Sequence, residues 1–225
     1  MRIKIYQINP DRDTNRIAHT RLSELERFQG SPDVQASIYD EVFNAVIDQD
    51  DLEDIFFLFN TDGHPLYRGG SMKVSDVVVT EEGAFYCDSV GFKPVTFDES
   101  QTQKPDNLLK VVYVEPGKPP YEAEILHTLE AQQKAVGGFI EPVYLEDDIT
   151  LVGNEESKLI GMPGNRRLDS GSIIAGPFYL VGDAGDDFRS LTDEEAQQMM
   201  KRFEQPEDIS PEEVEADTGF YFISF

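Results

Sequence analysis

Short segments in which apolar and polar residues alternate constrain the fold of this chain more than any other feature. Residues 2–8, RIKIYQI, and residues 121–126, YEAEIL, are two such segments. A period of two residues is typical of a β-strand that buries one face. Ile3, Ile5 and Ile8 mark that face in the first segment, and their uneven spacing predicts a register slip at the end of the strand.

Further strands are predicted where short apolar runs lie between turn residues. Two such runs flank Glu82-Gly83, which indicates a β-hairpin. The run that begins at Leu108 ends at Pro116-Gly117 and should pair with residues 121–126. The other predicted strands cover residues 37–47, 139–145, 149–154 and 172–182.

Helices are predicted from apolar residues spaced three and four apart and from residues that favour helix ends. Ser23 and Glu26 form the S-x-x-E pattern of a capping box at the start of one short helix. Thr192 and Glu195 form the same pattern before residues 193–203.

Two more helices have acidic or capped starts. Residues 48–60 crowd acids into a first turn, where the helix dipole favours them. The helical spacing that follows is carried by Leu52, Ile55, Phe56 and Phe59. A further helix should start after Thr128 and stop at Gly137-Gly138.

The polar segment 98–107 contains Pro105 and shows no apolar periodicity, which is typical of a linker. We therefore predict an α+β protein of two small domains, residues 1–98 and 108–225, with a linker at 99–107. Each domain should hold a mainly antiparallel sheet with one or two helices, and each should fold independently. Near the C-terminus, residues 206–217 are predicted to be mobile and the apolar residues 219–225 to dock on a core or a sheet edge.

The charge balance predicts the kind of partner. The chain has 44 Asp and Glu against 19 Lys and Arg, a net charge of −25. Such a surface repels nucleic acid and anionic membranes and attracts basic surfaces. No apolar run approaches the roughly 20 residues that cross a bilayer. The single Cys87 excludes an internal disulfide, so we expect a protein of the reducing cytoplasm.

Residues 151–167, LVGNEESKLIGMPGNRR, contain the glycines and cations of phosphate-binding loops but not their spacing. A Walker loop requires G-x-x-x-x-G-K-[ST], and no Gly-Lys pair occurs here. We interpret the segment as a hairpin followed by a second turn, with Asn154 and Asn165 bonded to turn backbone. Arg166 and Arg167 should then form exposed pairs with neighbouring acids.

The remaining residues that could take part in catalysis or metal binding are more typical of structural roles. No catalytic residue, cofactor or metal is therefore predicted. His64 is typical of a turn, and His127 lies at a helix start. Cys87 adjoins a carboxylate, which opposes a reactive thiolate, so we predict that it packs in the core. The acidic clusters match no EF-hand and favour a solvated surface over paired catalytic carboxylates, with weak Ca²⁺ binding left open.

Two sets of motifs carry a resemblance to known families. Residues 51–60, 67–79 (YRGGSMKVSDVVV) and 84–97 (AFYCDSVGFKPVTF) resemble the YodL-like domain over about residues 1–98. Residues 129–145 and 154–168, with 173–182, resemble an uncharacterised domain of conjugative elements and phages. The resemblance implies cargo of a mobile element in a gut-type Gram-positive bacterium, and it implies no catalytic residue.

We therefore predict a non-enzymatic module that binds a basic host or element-encoded protein and does not itself bind nucleic acid or membranes. In its sharpest form the prediction is a DNA mimic that inhibits a defence nuclease or another nucleic-acid-binding protein. The alternatives are an accessory protein of conjugation, or a small-ligand-binding protein or enzyme. The candidate contact residues are Asp50, Asp51, Glu53, Asp54, Glu146, Asp147, Asp148, Asp186 and Asp187.

Overall fold

The computed structural model describes residues 1–31, 33–145 and 148–218. The chain forms two compact units, and the boundary between them falls between Asp106 and Asn107. Both are built on antiparallel sheets with few helices, so the predicted α+β class is confirmed. The predictions for residues 219–225 fall outside the described residues.

The first unit contains a five-stranded antiparallel sheet in the order β2-β1-β3-β4-β5. Val77 and Val78 are adjacent in a strand and both fully buried, so the sheet is covered on both faces rather than one. The elements are β1 (Arg2–Ile8), α1 (Leu22–Gln29), β2 (Tyr39–Val46), α2 (Leu52–Leu58), β3 (Val77–Thr80), β4 (Gly83–Cys87) and β5 (Phe92–Val95).

Two sequence predictions in the first unit have opposite outcomes. The register slip in β1 is present, between Ile5 and Tyr6. The predicted capping box of α1 is wrong, because the helix begins two residues earlier than this pattern requires. Arg21 occupies the N-cap position without a side-chain hydrogen bond, and Ser23 therefore lies inside the first turn.

The segment that we interpreted as a linker contacts the first unit. Residues 99–101 form a 3₁₀ turn, and Glu99 accepts hydrogen bonds from Lys4 Nζ and the Tyr6 hydroxyl. The backbone of Gln103 bonds to that of Tyr39 and Glu41 in β2. The segment is thus held by β1 and β2.

The second unit, which starts at Asn107, contains a six-stranded antiparallel sheet and a separate two-stranded one. The large sheet has the order β7-β6-β12-β9-β8, with β13 paired to β12, and the small sheet is β10-β11. The elements are β6 (Leu108–Val114), β7 (Tyr121–Leu126), α3 (Leu129–Val136), β8 (Ile140–Tyr144), β9 (Ile149–Asn154), β10 (Gly164–Arg167), β11 (Ile173–Ala175), β12 (Phe178–Asp183), β13 (Phe188–Arg189), α4 (Asp193–Arg202) and α5 (Pro211–Ala216).

Helices cover both faces of the large sheet. The Tyr113 hydroxyl donates to the Ala135 carbonyl of α3 at 2.6 Å. On the opposite face, Val112 and Leu180 share a core with Met199 of α4. The predicted N-cap Thr128 of α3 and the predicted capping box of Thr192 and Glu195 are both present.

Three predictions in this unit are wrong. Residues 172–182 are two strands in different sheets, because Gly176 adopts a φ of +73° and separates β11 from β12. Residues 155–161 form successive turns instead of a hairpin's second strand, and the chain becomes extended again in β10. Residues 206–217, expected to be mobile, include the capped helix α5, which buries Val214.

Arg166 also contradicts its prediction. It is 2% exposed and bonds to the carbonyl oxygens of Phe203, Lys118 and Asn165 rather than to acids. Arg167, in contrast, forms the predicted pairs with acids, at 2.8 Å from Glu207 and 2.7 Å from Glu213.

Candidate functional site

The start of α2 gathers four of the predicted contact residues on one exposed surface. Asp51 is the N-cap, and its Oδ1 accepts a hydrogen bond from the Glu53 amide at 2.8 Å. Asp50, Glu53 and Asp54 flank it, and all four side chains are exposed. The positive end of the helix dipole favours carboxylates here. Within the described residues, none of the four forms an ion pair.

The turn between β4 and β5 lies beside this helix and enlarges the surface. The rings of Phe56 and Phe92 are 6.5 Å apart and meet edge to face. Glu53 Oε1 is 3.2 Å from the point where a Cβ on Gly91 would lie. The turn therefore adds the partly exposed Asp88 to the acids of α2.

Two large apolar side chains are exposed on the same surface. Phe57 is 65% exposed and Val90 is 81% exposed. Phe57 lies one helical turn after Glu53 and on the same face of α2, while Val90 adjoins Gly91 in the turn. We name this surface the acidic–aromatic patch, and it consists of Asp50, Asp51, Glu53, Asp54, Phe57, Asp88 and Val90.

The predicted contact residues of the second unit form a different kind of acidic surface. Asp148 and the Asp186-Asp187 pair lie in neighbouring turns, joined by a hydrogen bond of 2.7 Å from the Asp183 amide to the Asp148 carbonyl. Asp187 accepts from the Phe188 amide and contacts His127 Nε2 at 2.8 Å. The amide and the imidazole together lower the pKa of Asp187. Glu146 and Asp147 lie outside the described residues.

The two groups of acids therefore differ in the side chains that lie beside them. Asp187 of the second unit has an imidazole beside it, and Arg189 nearby binds Glu195 at 2.7 Å. The four carboxylates of α2 have no cation bound to them in the parts of the chain that the structure describes. The acidic–aromatic patch therefore carries the carboxylates of α2 without a bound cation in the described residues.

Cys87 and His64 lie in surroundings that are typical of structural residues. Cys87 is 3% exposed, and burial, followed by the nearby Asp76, raises the pKa of its thiol to about 12. His64 Nδ1 accepts from the Leu66 amide within a turn. Among the described residues, no group of three His, Cys, Asp or Glu side chains is arranged to hold a metal ion.

Sequence reasoning missed the apolar part of the patch, although a signal was present. The apolar spacing of α2 is carried by Leu52, Ile55, Phe56 and Phe59, and Phe57 falls outside that series. A large aromatic residue out of phase with the buried face of a helix is expected to be exposed. Val90 carried no such signal, because its exposure depends on the conformation of the turn.

The fold and the site together define a two-domain α+β protein with an exposed acidic surface on its first domain. Residues 2–97 match the family described as YodL-like domain, and residues 109–204 match a domain of unknown function, DUF3846. The chain thus carries a YodL-like domain followed by a DUF3846 domain, as the motifs indicated. No curated protein and no solved structure matches it.

In the parts of the chain that the structure describes, no helix combines the length and the apolar character that crossing a bilayer requires.

Proposed function

We propose that this chain is a non-enzymatic protein-binding module whose acidic–aromatic patch docks on a basic surface of a partner protein. The observation that carries the proposal is the set of α2 carboxylates without bound cations around Phe57, which is 65% exposed. A cationic partner would supply the missing counter-charges, and it would cover the aromatic ring.

The composition of the patch suits a protein interface. Interfaces concentrate binding energy in a few aromatic or arginine residues surrounded by a polar rim. Phe57 and Val90 supply an apolar centre, and the five carboxylates supply the rim. Charges at such a rim mainly accelerate association and select the sign of the partner's surface.

The net charge of −25 supports a basic, nucleic-acid-binding protein as the partner. The partner is encoded by the host or by the mobile element that the family resemblance implies, and the encounter takes place in the cytoplasm. In the finer form of the proposal, the patch occupies the partner's nucleic-acid site as a DNA mimic. In the alternative form, the chain is an accessory protein of conjugation and the apolar centre dominates binding.

The test compares matched variants of the full chain as baits in lysate of a Gram-positive host. The patch variant carries Asp50→Asn, Asp51→Asn, Glu53→Gln and Asp54→Asn. The control variant carries Glu24→Gln, Glu26→Gln, Glu81→Gln and Glu82→Gln, which are exposed residues of the same unit with the same change in charge. We expect the patch variant to lose a partner that the wild type and the control both retain.

A second pair of variants tests the apolar centre. Phe57→Ala should weaken capture of that partner, whereas Phe28→Ala, at a phenylalanine that is 78% exposed on α1, should not. Equal capture by the wild type and both patch variants would refute the docking surface.

Salt and DNA then separate the two forms of the proposal. Charge-driven binding should weaken steeply at 0.5 M salt, where the screening length is about 4 Å, and a DNA mimic should be displaced by competing DNA. Binding that survives both treatments but is lost in Phe57→Ala would reject mimicry and favour the accessory form.

A further inference from the structure

The DUF3846 domain contains a cleft of about 280 Å³ between its two sheets. Val143 and Leu151 of the large sheet line one side, and Ile173, Ile174 and Ala175 of β11 line the other. The turns that follow β9 and β10 close its ends with Ser157, Lys158, Leu168, Ser170 and Ser172. The buried Asn154 and the exposed Glu141 also line it, so the cleft combines apolar walls with several polar groups.

Two residues that line the cleft, Lys158 and Ile173, already bind a carboxylate of the chain itself. Lys158 Nζ donates to Asp217 Oδ2 at 2.6 Å, and the Ile173 amide donates to the same oxygen at 2.8 Å. Lys158 and this amide together lower the pKa of Asp217. An ammonium group and a backbone amide that converge on one oxygen form a receptor for a carboxylate.

A serine hydroxyl adjoins these groups. Ser157 precedes Lys158, lines the cleft and is 7% exposed. Its hydroxyl makes no hydrogen bond with any residue that the structure describes. It is therefore available to donate to a ligand in the cleft.

We propose that this cleft binds a small molecule with one carboxylate and an apolar body, whose carboxylate replaces that of Asp217 on Lys158 and the Ile173 amide. The apolar body lies between Leu151 and Ile174, and the Ser157 hydroxyl donates to the ligand's second carboxylate oxygen. Asp217 directly follows α5, so the ligand competes with the contact that holds the end of this helix.

The size of the cleft limits the ligand. Ligand sites usually enclose about 300–1,000 Å³, and this cleft lies just below that range. A short aliphatic acid or a single-ring aromatic acid fits such a volume, whereas a nucleotide does not. Hexanoate is therefore a suitable probe, and its neutral counterpart hexanamide isolates the contribution of the charge.

The first test is titration of the full-length protein with each probe, followed by calorimetry and by NMR shifts of the cleft residues. We expect hexanoate to bind and hexanamide to bind at least tenfold more weakly. Asp217→Asn should tighten hexanoate binding by about tenfold, because the internal competitor loses its charge, and Lys158→Met should weaken it by a similar factor. The controls Asp208→Asn and Lys201→Met change exposed charges elsewhere in the unit and should leave affinity unchanged.

A second test fills the cleft without disturbing its receptor. Gly153 lines the cleft, and a Cβ at this position would meet only Leu151 Cδ2, at 3.9 Å. Gly153→Val should therefore fold, with an unchanged or higher melting temperature, and should abolish hexanoate binding. Undiminished hexanoate binding to Gly153→Val, or failure of hexanoate to bind Asp217→Asn, would overturn the proposal.

Discussion

Both units bury charged side chains, and Asp76 of the first and Arg166 of the second are satisfied differently. Asp76 in the first unit is 0% exposed, and its Oδ2 accepts from Gln7 Nε2 at 2.7 Å and from the Lys73 amide at 2.9 Å. Its Oδ1 has no hydrogen-bond partner. Arg166 in the second unit is 2% exposed, and its three guanidinium nitrogens all donate to oxygen atoms.

This difference shows when a buried charge stabilises a fold. A buried ion is tolerated when protein groups replace the whole of its water shell. Arg166 meets that condition, and the Phe203 carbonyl that it contacts lies at the negative end of α4. Asp76 meets the condition at only one of its two carboxylate oxygens. Burial raises the pKa of its carboxyl from 3.8 to about 7, although the hydrogen bond from Gln7 opposes the rise.

The largest effect is expected from removing the fully satisfied charge. Arg166→Met should lower the free energy of unfolding by about 3–5 kcal/mol, because the buried carbonyls of Phe203, Lys118 and Asn165 lose their donors. Arg166→Lys should recover little of the loss, because an ammonium cannot reach carbonyls arranged around a planar fork. Chemical denaturation at pH 7 measures both.

Arg167→Met is the matched control for these variants, because it removes the neighbouring exposed cation. It should cost less than about 1 kcal/mol. Equal costs at the two positions would show that the buried hydrogen bonds of Arg166 do not hold the second unit together.

The carboxylate of Asp76, with only one oxygen hydrogen-bonded, should make the free energy of unfolding depend on pH. Below pH 3.8 Asp76 is protonated in both states, and between pH 3.8 and about 7 only the folded state keeps the proton. The stabilising contribution present at low pH is therefore lost as pH rises to about 7. The loss is on the order of 4 kcal/mol for a rise of this size.

Asp76→Asn should remove this dependence, so the difference in unfolding free energy between wild type and variant should change steadily from pH 4 to pH 7. Asp62→Asn, at an exposed turn residue, is the control and should show a constant difference. A constant difference for Asp76→Asn as well would contradict the raised pKa.

The first unit also depends on the segment after residue 98, and truncation measures how much. A fragment of residues 1–98 lacks Glu99, the Gln103 backbone pairing with β2, and Lys104, which lies 3.2 Å from the buried carboxylate of Glu41. It should be less stable than residues 1–106 by about 2–3 kcal/mol. A 1–104 fragment should match the longer one, and equal stability of all three would restore the linker interpretation.

The sequence predicted those features that depend on neighbouring residues. The start of α3 at Thr128 and the acidic first turn of α2 are present, and so is the hairpin predicted at Glu82-Gly83, with its turn one residue earlier at Glu81-Glu82. In each case the determining residues lie within a few positions of the structure that they specify, so local pattern and capping chemistry were sufficient.

The features that depend on distant residues could not be predicted in this way. Arg166 is buried because its acceptors come from Lys118 and Phe203, far away in sequence, whereas an arginine pair in an acidic chain indicates a surface. The cleft likewise combines residues from 141 to 175. The acids of the patch were identifiable from composition, but their proximity to Val90 required the packing of α2 against the β4–β5 turn.

The smallest predicted effect compares one sequence pattern in the two units. Ser23 and Glu26 in α1 and Thr192 and Glu195 in α4 share the capping-box spacing, but only the second pair forms the box. Thr192 Oγ1 accepts from the Glu195 amide at 3.2 Å, and the Glu195 carboxylate accepts from the Thr192 amide at 2.8 Å. Thr192→Ala should therefore lower the free energy of unfolding by about 1 kcal/mol. Ser23→Ala should leave it unchanged or raise it slightly, because alanine is the better residue within a helix. Thermal unfolding of the two variants measures the difference, and an equal loss in both would mean that α1 begins at Ser23 in solution.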